Sequence, residues 1–142
     1  MTRFVRALLD APAATPLGRY TQANGVLYAV MGLALFSFPQ LFQSIGADDF
    51  EAGERGLVRT LAFVLIVIGW FYVMGGRTAA DSFGLSTVVD RVIIVPAFLV
   101  PLAASGAVDP AIVLPIAILD PVLGLGALAV WLRTRDRVPT GI

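Results

Sequence analysis

Leu61–Met74 reads LAFVLIVIGWFYVM, an unbroken apolar run with no charge and no alternation of polar and apolar positions. Extended outward to about Leu57 and Gly75, it reaches the length of a membrane-crossing helix, which needs about 20 mainly apolar residues. A membrane strand would instead alternate. Three further segments meet the same test, giving expected spans over about 17–38, 57–75, 85–104 and 111–132. The sequence therefore predicts an all-α membrane protein: an antiparallel bundle of four transmembrane helices in a single domain covering residues 1–142. Only SGAVDP, Ser105–Pro110, separates the last two spans, so they form a tight hairpin.

Composition agrees. Of 142 residues, 58% are hydrophobic and 14% charged, where a soluble domain carries about 25% charged residues. Net charge is zero, which gives no electrostatic basis for binding nucleic acid. All ten basic residues are arginine, and lysine, histidine and cysteine are absent. Thiol catalysis and iron–sulfur ligation are thereby removed. So are a Schiff-base lysine and the usual imidazole ligands of haem, zinc and copper. No cofactor and no metal site are expected.

Arginine placement sets the orientation. Arg3, Arg6 and Arg19 precede the first span, Arg77 lies between the second and third, and Arg133, Arg135 and Arg137 follow the fourth. With an even number of spans these fall on one side, against Arg55, Arg59 and the acidic group Asp48, Asp49, Glu51 and Glu54 on the other. The positive-inside rule then puts both termini in the cytoplasm. Trp70, Tyr72 and Trp131 fall near the cytoplasmic boundary, where interfacial aromatics belong. Arg59 reads as a snorkelling residue at the opposite interface. The apolar run after Arg3 and Arg6 breaks at Asp10 and Pro12, unlike a cleaved signal peptide; residues 3–9 suit a short surface helix or a frayed tail. In the Pro39–Gly56 loop, Leu41, Phe42 and Ile45 form a short outer interfacial segment, and DDFEAGER reads as a solvated acidic turn.

Charged groups at membrane depth need a partner, a wet cavity or a way to snorkel. Asp120 lies about ten residues into the fourth span, close to the midplane at about 1.5 Å per residue. Pro121 follows it and cannot donate to the Ala117 carbonyl. Two readings stand: a proton- or ligand-binding carboxylate at a helix break, or a structural carboxylate that fixes helix packing. Asp90 and Arg91 sit about two turns into the third span, beyond Ser86 and Thr87. Arg91 could reach Asp120 as a buried pair; Asp90 could hold the cytoplasmic end or face Arg77. Asn24 and Tyr28 share one face of the first span. These residues (Asn24, Tyr28, Asp90, Arg91 and Asp120) could line one cytoplasm-facing polar pocket or serve helix packing separately. Gly25, Ala29 and Gly32, with Gly124 and Gly126, are small-residue tracks suited to close helix approach. Prolines 96, 101, 115 and 121 imply kinks in the last two spans.

The layout of FPQLFQSIGA, GLVRTLAFVLIVIGWFYVMGGR, TVVDR and ILDPVLGLGAL resembles the small DoxX-like four-helix membrane proteins of bacteria. The likeness covers nearly the whole chain and implies an antiparallel bundle in the bacterial inner (plasma) membrane. It brings no activity that carries over residue by residue, and redox roles that rest on cysteine are closed to this chain. Three functions remain. The first is a non-enzymatic protein that binds a lipid-like molecule, a second copy of itself or another membrane protein. The second is a small oligomeric transporter or channel using Asp120. The third is an intramembrane enzyme on a lipid or isoprenoid with Asp90 and Asp120 as acid and base.

Overall fold

The computed structural model describes residues 10, 13–50, 52–78 and 80–135. The surface helix expected over residues 3–9, and the side chains of Glu51 and Arg137, lie outside this range. The described residues form helices joined by turns, with no strand among them. The helices are α1 (Pro16–Ser37), α2 (Ala52–Gly75), α3 (Ser82–Ala104) and α4 (Pro110–Arg135), with a 3-10 segment over Pro39–Ile45.

Gly53–Gly75, Ser82–Ala104 and Pro110–Arg135 are each long and apolar enough to cross a membrane; α1 reaches that standard only together with Pro39–Ile45, bent from it by 97°. The shortfall of α1 has a physical cause. Its polar residues point inward: Thr21 and Asn24 are buried, and Gln22 donates to the Gly76 carbonyl at 2.9 Å. The helix with the most protein around it can carry the most polar side chains. Large apolar side chains are exposed on every helix, among them Val30, Phe71, Ile93, Ile118 and Val122. Contiguous apolar surface of this kind needs a non-aqueous neighbour.

Packing follows a seven-residue repeat. The buried stripe of α1 is Leu17, Thr21, Asn24 and Tyr28, and that of α4 is Val113, Asp120, Gly124 and Ala127. Such spacing keeps one seam facing a neighbour, as in left-handed coiled coils. Between α1 and α2 the seam is built of glycine. A Cβ on Gly18 would lie 2.5 Å from the Gly76 oxygen, one on Gly25 2.6 Å from the Gly69 oxygen, and one on Gly32 2.6 Å from the Ala62 oxygen. Seven residues up α1 answer seven residues down α2, so these two helices run antiparallel with their backbones touching. The track expected at Gly25, Ala29 and Gly32 is thus half of a two-helix device whose other half is Ala62, Gly69 and Gly76.

α4 packs against both α1 and α3, while α2 packs along α1 without close backbone packing on α3 or α4. The helices therefore form an open arc in the order α2, α1, α4, α3. Their backbones leave a gap between α2 and α3, bridged at one end by Tyr72 against Phe83 and Asp90.

Three expectations are corrected locally. α2 starts at Ala52, so part of the acidic turn is already helical, with Glu54 in the first turn where the helix dipole favours an anion. α4 is one continuous helix through Pro115 and Pro121, so Asp120 does not sit at a break. The irregularity lies in α3, where Asp90–Ile94 is a π-helical turn just ahead of Pro96 and the Val95 amide reaches back to the Asp90 carbonyl. The loop end is closed by Phe42, Ala47, Phe50 and Val58, with Gly46 in the left-handed region (φ 108°) ending the 3-10 segment. Leu41 and Ile45 stay exposed while Phe42 turns inward.

Candidate functional site

Each of the four helices sends a polar side chain to the same level. Tyr28 comes from α1, Tyr72 from α2, Asp90 and Arg91 from the π turn of α3, and Asp120 from α4. The Tyr28 hydroxyl donates to Oδ1 of Asp120. The Tyr72 hydroxyl donates to Oδ2 of Asp90 at 3.4 Å, a long bond. Between them lies Arg91, 0% exposed and the largest fully buried side chain among the described residues.

No nitrogen of the Arg91 guanidinium has a hydrogen-bond partner. Its Cζ instead lies 4.4 Å from the Tyr72 ring centre and 5.2 Å from that of Tyr28. The two rings meet edge to face at 5.7 Å. A guanidinium on desolvated aromatic rings is attracted by their negative faces, by about 2 kcal/mol in such sites. It also stays within electrostatic reach of Asp120. The direct Arg91–Asp120 ion pair left open by the sequence is not formed. Tyr28 links the two, with its hydroxyl on the carboxylate and its ring by the cation.

Local chain geometry makes this possible. The π turn holds Asp90 and Arg91 where α3 passes close to α4: a Cβ on Gly124 would be 2.8 Å from Val92 and 3.1 Å from the Arg91 Cβ. Single π turns inside α-helices recur at functional positions. Thr87 bonds back to the Gly84 carbonyl and Ser86 to that of Phe83, so the polar pair before Asp90 is spent within its own helix.

Tyr28, Asp90, Arg91 and Asp120 thus come together. Asn24 is buried one turn away, its amide nitrogen without a hydrogen-bond partner. Tyr72, expected near the cytoplasmic boundary, is buried against Tyr28 and Arg91 and belongs to the site. A signal for it was present: Gly69, Tyr72 and Gly76 are spaced three and four apart, on the face of α2 that must meet α1.

Beside the cluster is a cavity of about 320 Å³. Tyr28, Tyr72, Asp90 and Asp120 form its polar end, and Leu65, Ile68, Ile94, Val95, Phe98, Leu99 and Ile116 its apolar wall. It occupies the gap between α2 and α3. The apolar wall extends from the polar layer toward the end of the molecule that carries Pro39–Ile45, not toward the chain termini. The crevice thus lies on the loop side of the polar layer. Among the described residues, no group of three or more Asp or Glu residues is placed to hold a metal ion.

Compared with protein-family models, curated proteins and solved structures, the chain matches none.

Proposed function

We propose that this chain crosses the bacterial inner membrane four times, antiparallel and with both termini in the cytoplasm, and binds a lipid-like small molecule in the crevice between α2 and α3. The DoxX-like layout remains its family expectation, and no catalytic step is assigned to it. The observation that carries the reading is the crevice itself: an apolar wall ending in a small set of convergent polar groups, beside helices that do not close on one another. Binding sites for small molecules have this make-up. A ligand in it lays its apolar part against Phe98, Leu99 and Ile116 and its polar head at Asp90 and Asp120. Arg91 and the two tyrosines hold those carboxylates in place. A partner protein or second copy could cover the exposed apolar faces, but the crevice calls for a narrower occupant.

The test is thermal unfolding in detergent with and without a monoacylglycerol. A ligand that binds only the folded state adds about 2.7 kcal/mol at a hundredfold excess over its Kd. The wild-type chain should be stabilised and Ile116→Trp, which narrows the crevice, should be stabilised less or not at all. Equal stabilisation of both chains would sink the reading.

The second reading, a small transporter using Asp120, draws on the same crevice reaching the Asp120 carboxylate. In that case Asp120→Asn abolishes proton-coupled flux in liposomes; unchanged flux rules it out.

A further inference from the structure

The crevice does not stand alone. A second cavity of about 110 Å³ shares Leu65 and Ile116 with it and continues along α2 and α4 past Ala62 and Val64. A third, of about 380 Å³, shares Val58, Leu61 and Ile112 with the second and opens at the loop end. The three lie in a row from the loop end to the polar layer. Their chemistry differs in a regular way. The loop-end cavity is bordered by Asp48, Asp49, Glu54 and Asp109. Of these, Asp109 has a structural duty, accepting from the Ala111 amide at 2.8 Å and the Asp48 amide at 3.1 Å. The middle cavity is wholly apolar, and the last ends on Asp90 and Asp120.

The sign of the charge a ligand would meet follows from which atoms the cavity reaches. The three guanidinium nitrogens of Arg91 are sealed, so no molecule in the crevice touches them. Both carboxylates border it. Tyr28 takes one oxygen of Asp120, and the residue, 7% exposed, lines the cavity. One buried guanidinium stands against two carboxylates. The floor of the crevice is thus a place where positive charge is favoured and negative charge repelled, within apolar walls that raise the strength of both effects.

We infer that the row of cavities is a binding path for a lipophilic cation, an apolar body bearing a protonated or quaternary nitrogen or its phosphonium equivalent. Such a molecule is drawn to the acidic loop end, passes its apolar body along Leu61, Leu65 and Ile116, and rests with its charge at Asp90 and Asp120. This inference rests on the proposed crevice-binding function and adds the sign and class of the ligand.

The test uses two probes of nearly the same shape and opposite charge, tetraphenylphosphonium and tetraphenylborate, on the full chain in nanodiscs of neutral lipid. Tetraphenylphosphonium should bind saturably and tetraphenylborate should not. Removing a charged partner of a desolvated ligand weakens binding roughly tenfold or more, so Asp90→Asn and Asp120→Asn should each show that loss. Asp90→Asn guards against misfolding, because Asp90 is only half-buried and weakly bonded. Leu65→Trp, which obstructs the row while leaving both carboxylates, should slow or abolish binding. Equal binding of both ions, or tetraphenylphosphonium binding unchanged in Asp90→Asn and Asp120→Asn, overturns the inference. If monoacylglycerol stabilises the chain while tetraphenylphosphonium does not bind, the crevice function stands and the cationic assignment falls. If neither binds, both fall.

Discussion

Arg91 is the residue on which the interior depends. A guanidinium with no hydrogen bond, enclosed on all sides, is tolerated only because two tyrosine rings and two carboxylates offset its desolvation. Removing the charge leaves Asp90 and Asp120 facing one another uncompensated, and breaking a buried charge arrangement costs about 3–5 kcal/mol. Arg91→Met should therefore lower unfolding stability by about 3 kcal/mol or more, read as the midpoint shift in detergent. Arg91→Lys keeps the charge but loses the planar stacking on two rings, and should lose about 1–2 kcal/mol. Equal losses would show that packing alone decides the site. Tyr28→Phe takes a hydrogen-bond donor from Asp120 and should cost about 1–3 kcal/mol by the same assay. Tyr28, Asp90, Arg91 and Asp120 were legible as chemistry in the sequence, because charge and hydroxyl at membrane depth always need a reason. Their arrangement was not. Two adjacent residues on a regular helix diverge by about 100°, and nothing in TVVDR announces the π turn that brings Asp90 and Arg91 into one polar layer.

At the scale of elements, the glycine seam between α1 and α2 sets how close those helices come. The backbone contact of Gly25 and Gly69 leaves no room for a methyl group: a Cβ on either would sit within 2.6 Å of the partner's carbonyl oxygen. Gly25→Ala should then destabilise by about 1–3 kcal/mol, as overpacking does. Gly56→Ala, in α2 with nothing near the added carbon, should be neutral or gain about 0.5–1 kcal/mol from reduced chain entropy. Matching effects of the two would remove the seam from the account. Half of this device was readable, since Gly25, Ala29 and Gly32 already form a small-residue track in the sequence. Its partner on α2 was hidden by the continuous apolar run of Leu61–Met74, in which Gly69 looks incidental. That same run concealed Tyr72. Hydropathy says that a helix crosses a membrane, but it does not say which side of the helix meets protein. Pro121 suggested a break beside Asp120, and none is formed. Loss of an amide donor can be absorbed without interrupting a helix, and α4 runs unbroken through Pro115 and Pro121.

For the whole molecule, the arrangement α2, α1, α4, α3 leaves one side of the bundle unsealed, and the crevice follows from that opening. Sequence reveals four apolar segments but not their order in space, so the open side could not be foreseen. Orientation can be tested with little disturbance because the chain has no cysteine. In intact bacterial cells, Asp49→Cys should react with a membrane-impermeant maleimide and Thr78→Cys only after permeabilisation; the opposite pattern would invert the topology. The central claim, that the gap between α2 and α3 receives a lipid-like molecule, is tested most directly by photo-crosslinking a diazirine-bearing monoacylglycerol to the protein in nanodiscs and mapping the adducts. Adducts are expected on Leu99 and Ile116 and lost in Ile116→Trp. Adducts spread evenly over the exposed faces of Phe71, Ile118 and Val122, and unchanged by that substitution, would contradict it.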